Sequence, residues 1–486
     1  MTPLCLKIEA HRHLKIACSE CWSGRAKGKC SDGPVFSSKP KRDRGNSHPD
    51  LSALIVDQAV GLPAVVRSLK RRFFLIGFAF LETSLSSEPQ FKLVKRMGDP
   101  MRVLALGGSG GMGRFAVRAA LEIGSIERIV VADLNAEVAH DFALSLGPKV
   151  QGLGLDVTDQ DALRKAMQNV DVAINTVGPF FKFGPSILRM AIECGIHYLD
   201  ICDDWEPTLE MLAMDAQARE AGISAVIGLG ASPGVTNLMG LLAMRELDSV
   251  EELYTGWNAG GAVPEEESSQ SSVNAAMEHG ILQMTGTVRV RREGIDQMVR
   301  PLDKVAVDYP GLGLKTARIF GHPEAITFPH HYPEIRTSLN VVHGMEKERW
   351  ITLSLRTLVD WKLLTPRAAA RLFGWLEKQQ GSASRSDLMS PEELPVVFGL
   401  AVGQKDGRKS SVGVTFQEVS EFGMGYATGL PLACGLELLA QGRITERGVF
   451  APESGAIDPQ EFFDLLATKG PEAEARDESR LIIHRS

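Results

Sequence analysis

Gly108, Gly110 and Gly113 form a G-x-G-x-x-G turn inside Gly107-Gly108-Ser109-Gly110-Gly111-Met112-Gly113. The chemistry open to such a turn is anion binding. Gly108 permits a tight turn, Gly110 lets backbone N–H groups approach a pyrophosphate, and Gly113 lets a following helix lie close to the preceding strand. Ser109, Gly111 and Met112 complete the loop around the phosphates. The N-terminus of the helix adds unpaired donors and a partial positive charge. Asp133 follows Gly113 by about 20 residues, the spacing at which a carboxylate holds the adenosine ribose hydroxyls. Asp133 repels a 2′-phosphate and so favours NAD over NADP. Arg114 reaches a 2′-phosphate only if the loop bends toward it.

Other residues are placed to extend the nucleotide site and to meet a substrate beside it. Asp156 and Val157 are expected to edge an adenine, with a helix-preceding cap as the alternative for Asp156. Thr176, Val177 and Gly178 stand where a nicotinamide ribose is expected. Cys202, Asp203 and Asp204 come next to it. Adjacent carboxylates raise one another's pKa and bind a substrate ammonium; the alternative is a solvated acidic loop. Asp203 and His322 are the catalytic candidates, with His279, His330, His331 and Lys315 also open as the base. Arg289 is a candidate for a substrate carboxylate. Alternation puts Arg289 and Arg291 on one strand face, which is otherwise simply wet.

These residues need a scaffold that brings strand ends together. The apolar run Val103–Leu106 precedes the glycines, and Arg114–Leu121 reads as a helix. Further strands are expected at 128–132, 150–156, 171–175, 197–200 and 224–228. Helices are expected at 136–146, 162–169 (with Thr158-x-x-Asp161 as a capping box), 184–194 and 207–221. Strand and helix in alternation give an α/β fold, a Rossmann-type doubly wound parallel sheet, with ligands at the carboxyl ends of the strands. Residues 287–291 and 411–416 alternate as half-buried antiparallel strands. Residues 358–379 read as helical, 259–272 as a polar loop and 381–387 as a linker or lid. The expected organisation is a dinucleotide-binding domain at 97–238, a central α+β substrate domain at 239–425, C-terminal helices at 426–470 returning to the first domain, and a tail at 471–486.

The chain has 486 residues, 44% hydrophobic and 23% charged, with a formal net charge of −7. This composition argues against a nucleic-acid or anionic-membrane binder. No run of 18 apolar residues suggests a membrane span, and the seven scattered cysteines suit a reducing, cytoplasmic setting. Residues 1–96 differ from the rest. They are expected to be disordered, or a non-native extension from an upstream start codon. A zinc site at Cys18-x-x-Cys21 with Cys5 and Cys30 lacks a second C-x-x-C, and the acidic residues disfavour a transit peptide. No metal is expected in the main body.

The order of motifs resembles the saccharopine dehydrogenase-like family of NAD(P)-dependent oxidoreductases. The resemblance rests on the glycine turn, Asn175-Thr176-Val177-Gly178-Pro179-Phe180, Gly195-Ile196-His197-Tyr198-Leu199-Asp200, Gly230-Ala231-Ser232-Pro233-Gly234-Val235-Thr236-Asn237, Thr428–Ala433 and Gly448–Glu453. It spans about 101–465. It implies a Rossmann domain split in sequence, a central substrate domain, and hydride exchange between nicotinamide and the C–N bond of an amino-acid-derived amine or imine. Many members carry Asp-Pro-Gly where this chain has Ser232-Pro233-Gly234, which weakens the case for saccharopine itself and leaves Ser232 as a substrate contact. The alternatives are an enoyl or carbonyl reductase, or a non-catalytic NAD(P)-binding protein. A homodimer through the central sheet is a further expectation from the fold class.

Overall fold

The computed structural model describes residues 99–261, 273–344, 349–380, 393–417, 423–469 and 481–486. The readings for residues 1–96, for most of the 259–272 loop, for 381–387 and for 470–477 lie outside the described residues.

Seven parallel strands make the first sheet: β1 (Met101–Leu106), β2 (Ile126–Asp133), β3 (Val150–Gly154), β4 (Val172–Asn175), β5 (His197–Asp200), β6 (Ser224–Val226) and β15 (Gly448–Phe450). Their order is β15-β6-β5-β4-β1-β2-β3. Val103, Leu104 and Ala105 of β1 are all buried, as a central parallel strand covered on both faces requires. The order reverses between β1 and β4, so a crevice opens at their carboxyl ends. Six strands were expected. The seventh, β15, comes from beyond the central domain and extends the edge next to β6.

The connecting helices are α1 (Gly111–Leu121), α2 (Ala136–Leu146), α3 (Gln160–Met167), α4 (Phe180–Cys194), α5 (Trp205–Leu212) and α6 (Asp215–Glu220). Three sequence expectations need correction. The cap of α3 is Asp159, whose side chain accepts from Asp161 N and Ala162 N, so Thr158 is not the capping residue. Helix α4 begins at Phe180, on Pro179, rather than at Gly184. The expected helix 207–221 is two helices, α5 and α6, separated by Ala213 and Met214.

The second sheet holds β7 (Ser249–Asn258), β8 (Val288–Arg292), β9 (Ile295–Val299), β10 (Lys304–Tyr309), β11 (Gly313–Ile319), β12 (Thr337–His343), β13 (Val397–Lys405), β14 (Arg408–Phe416) and β16 (Leu481–Arg485). The main path runs β10-β11-β12-β7-β13-β14-β16, and the β8–β9 hairpin joins at β12. Only β7 and β12 pair in parallel among these strands. The reading of 471–486 as a tail is corrected at its end, because Leu481-Ile482-Ile483 forms an edge strand against β14. Helix α7 (Val235–Arg245) follows β6 and lies against β13. A Cβ on Gly399 would stand 2.2 Å from Gly240 N.

Three more helices, α8 (Val273–Gln283), α10 (Arg349–Asp360) and α11 (Pro366–Gln380), share a small core of Ile281, Leu355, Ala369 and Ala370. The expected helix 358–379 is split because Pro366 starts α11 afresh at its first position. Between them in sequence, α9 (Glu324–His331) leads into β12. After β14 the chain returns through α12 (Met424–Ala440), six residues longer at its start than expected, and α13 (Pro459–Ala467). Helix α12 lies directly on α1. A Cβ on Gly429 would sit 2.4 Å from Met112 O and 2.9 Å from Ala116 N. Gly429→Val therefore has to force the two helices apart, at about 1–3 kcal/mol. Thermal unfolding should show a Tm lower by several degrees, at about 2–4 °C per kcal/mol for a body of this size. An unchanged Tm would contradict this packing.

Candidate active site

At the end of β1, Gly107 has φ +70°, and a Cβ on Gly113 would lie 2.3 Å from Gly107 O. The turn closes only with glycine at position 113. Thr176 Oγ1, at the end of β4, donates to Leu106 O or Gly107 O at 3.1 and 3.0 Å and ties the two strand ends together. Helices α2 and α3 are capped by Asn135 and Asp159, whereas α1 starts on Gly110 with no side-chain cap. Its first N–H groups are thus left for an anion. A Cβ on Gly110 would meet Gly107 O at 3.2 Å and fill the mouth of this cradle. The loop therefore fits a dinucleotide pyrophosphate, with Ser109, Gly111 and Met112 around it.

Asp133 ends β2 and accepts the Ser109 hydroxyl at 2.6 Å, which places the carboxylate beside the loop. Arg114 Nε donates to Ser109 O at 2.7 Å, and its guanidinium stands 5.3 Å from the Phe142 ring centre. Asp156 accepts Thr158 N and Thr158 Oγ1 at 2.9 and 2.7 Å, and these bonds hold its pKa below the ordinary value. It orders the turn after β3, and Val157 packs at its side against the core. Val177 N donates to Asn175 Oδ1 at 2.9 Å, fixing the Val177–Gly178 backbone at the switch point.

The exit of β5 carries the acids. Asp203 and Asp204 meet His279 of α8: His279 Nε2 lies 3.2 Å from Asp203 Oδ1 and 3.4 Å from Asp204 Oδ1. Gln283, one helical turn on, donates to Asp203 O at 3.2 Å. The i, i+4 face of α8 thus clasps the β5 loop, and Phe181 stacks on the His279 ring at 6.3 Å. Burial opposes the charge on His279, but the charge and hydrogen bond of Asp203, with the Asp204 charge, raise its pKa to about 9. Burial likewise favours neutral Asp203, and the nearby His279 charge overrides it and holds that carboxyl below its ordinary value. Burial and the Asp203 charge push Asp204 the other way, upward.

A second histidine lies beside this group. His322 is 7% exposed, stacked on Trp257 at 5.5 Å and met edge-on by Phe320 at 4.9 Å. Burial lowers its pKa, against the Glu324 and Asp203 charges. The site therefore holds one histidine biased to the cation and one biased to the neutral base, an arrangement that separates acid and base roles. Ser232, on the loop after β6, approaches His322 Nδ1 at 3.1 Å.

The structure brings Asp203, Asp204, His322 and Ser232 together, and the candidates Cys202 and Arg289 stand apart. Cys202 is fully buried in the sheet core, its sulfur 3.5 Å from Thr208 Oγ1, and burial pushes its thiol far up. It has no surface to offer a substrate. Arg289 pairs with Asp296 across the β8–β9 hairpin at 2.6 Å, on the strand face opposite buried Val288 and Val290. Of the other candidate bases, His331 packs edge-on against His330 at 5.0 Å, and Lys315 stands opposite Val307 on the outer hairpin. Sequence spacing showed no metal motif, yet Asp203, Asp204 and His279 offer donor atoms within 4.8 Å of one another. A protonated His279 already supplies positive charge there. His279 was one histidine among several in the sequence, 75 or more positions from its partners, and Glu324 and Asn340 gave no signal at all.

A Rossmann sheet, an open glycine cradle and an acid–base cluster on one edge define a nicotinamide-dependent oxidoreductase. Residues 103–226 match the family model described as the saccharopine dehydrogenase NADP binding domain. Over these residues the chain is similar to that family, and the site it carries is that of an oxidoreductase. It is 23% identical over 396 residues to a carboxyaminopropylagmatine dehydrogenase of Synechocystis sp., covering 75% of this chain and 94% of that one. It is 22% identical over 356 residues to a carboxynorspermidine synthase of Vibrio alginolyticus, covering 66% and 82%. A solved apo saccharopine dehydrogenase (L-Glu forming) from Saccharomyces cerevisiae aligns with TM-score 0.49 and 17% identity, over 76% of this chain and 97% of that one.

The His279–Asp203 pair has a pH signature. The His279 pKa is raised on folding, so its contribution is complete below about 6.5 and is lost as pH rises through about 9. In urea unfolding, the stability gap between wild type and His279→Gln should be widest near pH 5–6 and shrink toward pH 10. A gap that does not change over this range would contradict the ion pair.

Proposed function

We propose that this chain exchanges a hydride between nicotinamide and the C–N bond of an amino-acid-derived amine or imine. The observation that carries the reading is His279 set between the Asp203 and Asp204 carboxylates with the buried His322 beside them, at the edge that also bears the glycine cradle. The names of the relatives, which refer to carboxyaminopropylagmatine and carboxynorspermidine, support an amine-derived substrate.

The cofactor, when bound, supplies the hydride donor or acceptor. The loop Gly108–Gly113 would hold its pyrophosphate, Asp133 the adenosine ribose, Asp156 and Val157 the adenine edge, and Thr176–Gly178 the nicotinamide ribose. His322 takes the proton from the substrate nitrogen as the base. Asp203 and Asp204 attract the substrate ammonium, and His279 fixes their geometry and neutralises one of them. Ser232 borders the substrate. Asp133 disfavours a 2′-phosphate, so we favour NAD, although the family model carries the name NADP. No described helix is long and apolar enough to cross a membrane. A cytoplasmic location and a homodimer complete the reading.

The reductase alternative gains nothing from the site. The one tyrosine near the β5 exit, Tyr198, is fully buried and committed to Asp200 and Asn175. Thermal-shift titration of the full chain tests the cofactor half. NADH at about 100 times its dissociation constant adds about 2.7 kcal/mol of stability. The shift should exceed that with NADPH and vanish in Gly110→Asp. Turnover on a panel of amino-acid-derived amines tests the other half, with His322→Gln lowering kcat/KM about 10²–10⁴-fold. Cofactor binding without turnover on any amine would favour the non-catalytic alternative. No shift with either cofactor would refute both.

A further inference from the structure

Behind His322 lies a buried carboxylate that sequence patterns gave no reason to single out. Glu324, the first residue of α9, is 1% exposed. Its Oε1 receives three donors: Ser232 Oγ at 2.6 Å, Thr236 Oγ1 at 2.9 Å and Asn340 Nδ2 at 3.0 Å. Asn340 stands opposite Thr255 in the parallel β12–β7 pair and also donates to Thr255 Oγ1 at 2.9 Å. Three donors on one oxygen suit an ionised carboxylate, which only accepts.

The count of protons then fixes His322. Ser232 has one hydroxyl proton, and its shortest contact, 2.6 Å, commits that proton to Glu324. The Ser232 oxygen is left as an acceptor, already reached by Asn340 Nδ2 at 3.3 Å. The second atom facing it is His322 Nδ1 at 3.1 Å, which must therefore carry a hydrogen. Trp257 covers one face of the ring at an interplanar angle of 11° and Phe320 abuts it at 88°, so the imidazole is held in its plane. Nε2 meets no protein donor or acceptor among the described residues.

We propose that Glu324 is a positioning residue which acts through Ser232 to hold His322 as the Nδ1–H tautomer, leaving Nε2 bare to take the substrate proton. The inference rests on the reading of His322 as the base. A proton leaving the substrate nitrogen forms the Nε2–H bond, Nδ1–H stays in place, and the resulting imidazolium faces the Glu324 charge across one hydroxyl. Ser232 thereby passes on the effect of a carboxylate that it does not itself possess.

The test is heteronuclear NMR of the full chain labelled with ¹⁵N-histidine, without substrate. Wild-type His322 should show a protonated Nδ1 and an unprotonated Nε2. Ser232→Ala, which removes only the relay hydroxyl, should shift His322 toward the Nε2–H form, and Glu324→Ala, which removes the acceptor of that hydroxyl, should do the same. An Nε2–H tautomer in the wild type, or a tautomer unchanged in Ser232→Ala, would overturn the relay. Turnover separates the two claims. If the tautomer behaves as stated and His322→Gln keeps full activity, the base assignment fails and the relay stands.

Discussion

The site depends on one buried carboxylate. Asp200, at the last position of β5, accepts Cys202 N at 3.0 Å, Gly228 N at 2.8 Å and the Tyr198 hydroxyl at 2.8 Å. The Tyr198 oxygen in turn accepts Asn175 Nδ2 at 2.9 Å, and Asn175 Oδ1 accepts Val177 N. Three chain reversals, after β4, β5 and β6, are thus fastened to one point inside the sheet. The first presents the nicotinamide-side backbone, the second the two acids, the third Ser232. Burial pushes the Asp200 carboxyl up to about 6, and the N–H and O–H donors pull it back. A buried acid of this kind is tolerable because three donors reach it.

The same economy joins the two sheets. Asn237 Oδ1 accepts Gly234 N at 2.7 Å, and its Nδ2 donates to the buried Glu453 at 2.7 Å. Tyr332 donates to Glu453 O at 2.8 Å. The turn after β6, the start of α7, the end of α9 and the segment after β15 therefore meet at one buried node. That node fastens the segment after β15 to the start of α7 and the end of α9. The β6 loop carrying Ser232 is held from both sides, which lets it face the residues of α9 and β12.

Much of the first sheet was legible because its signals are local. Glycines, apolar runs and an acid recur at spacings that backbone geometry fixes, so β1 to β6 and the cofactor loop could be read from the sequence. The β15 strand was not, since three residues of Gly448–Phe450 carry no period and gain their place only from the neighbouring β6. Within the polar cluster, Asp203 and His322 were readable as chemistry without partners. His279 and Glu324 acquire meaning only when α8 and α9 are folded against the β5 and β6 loops. Cys202 illustrates the converse error: its position beside two acids suggested a contact, but its sulfur is turned inward onto Asp204 O and Thr208 Oγ1.

The most direct test is amide hydrogen exchange at Cys202 and Gly228, compared between wild type and Asp200→Asn. Asparagine keeps the shape and removes the charge that gathers the donors. Both amides should exchange slowly in the wild type, and exchange in the variant should accelerate clearly, extending to Val177 through Tyr198 and Asn175. Rapid exchange in the wild type, or protection unchanged by the substitution, would show that these loops are held by something other than the buried carboxylate.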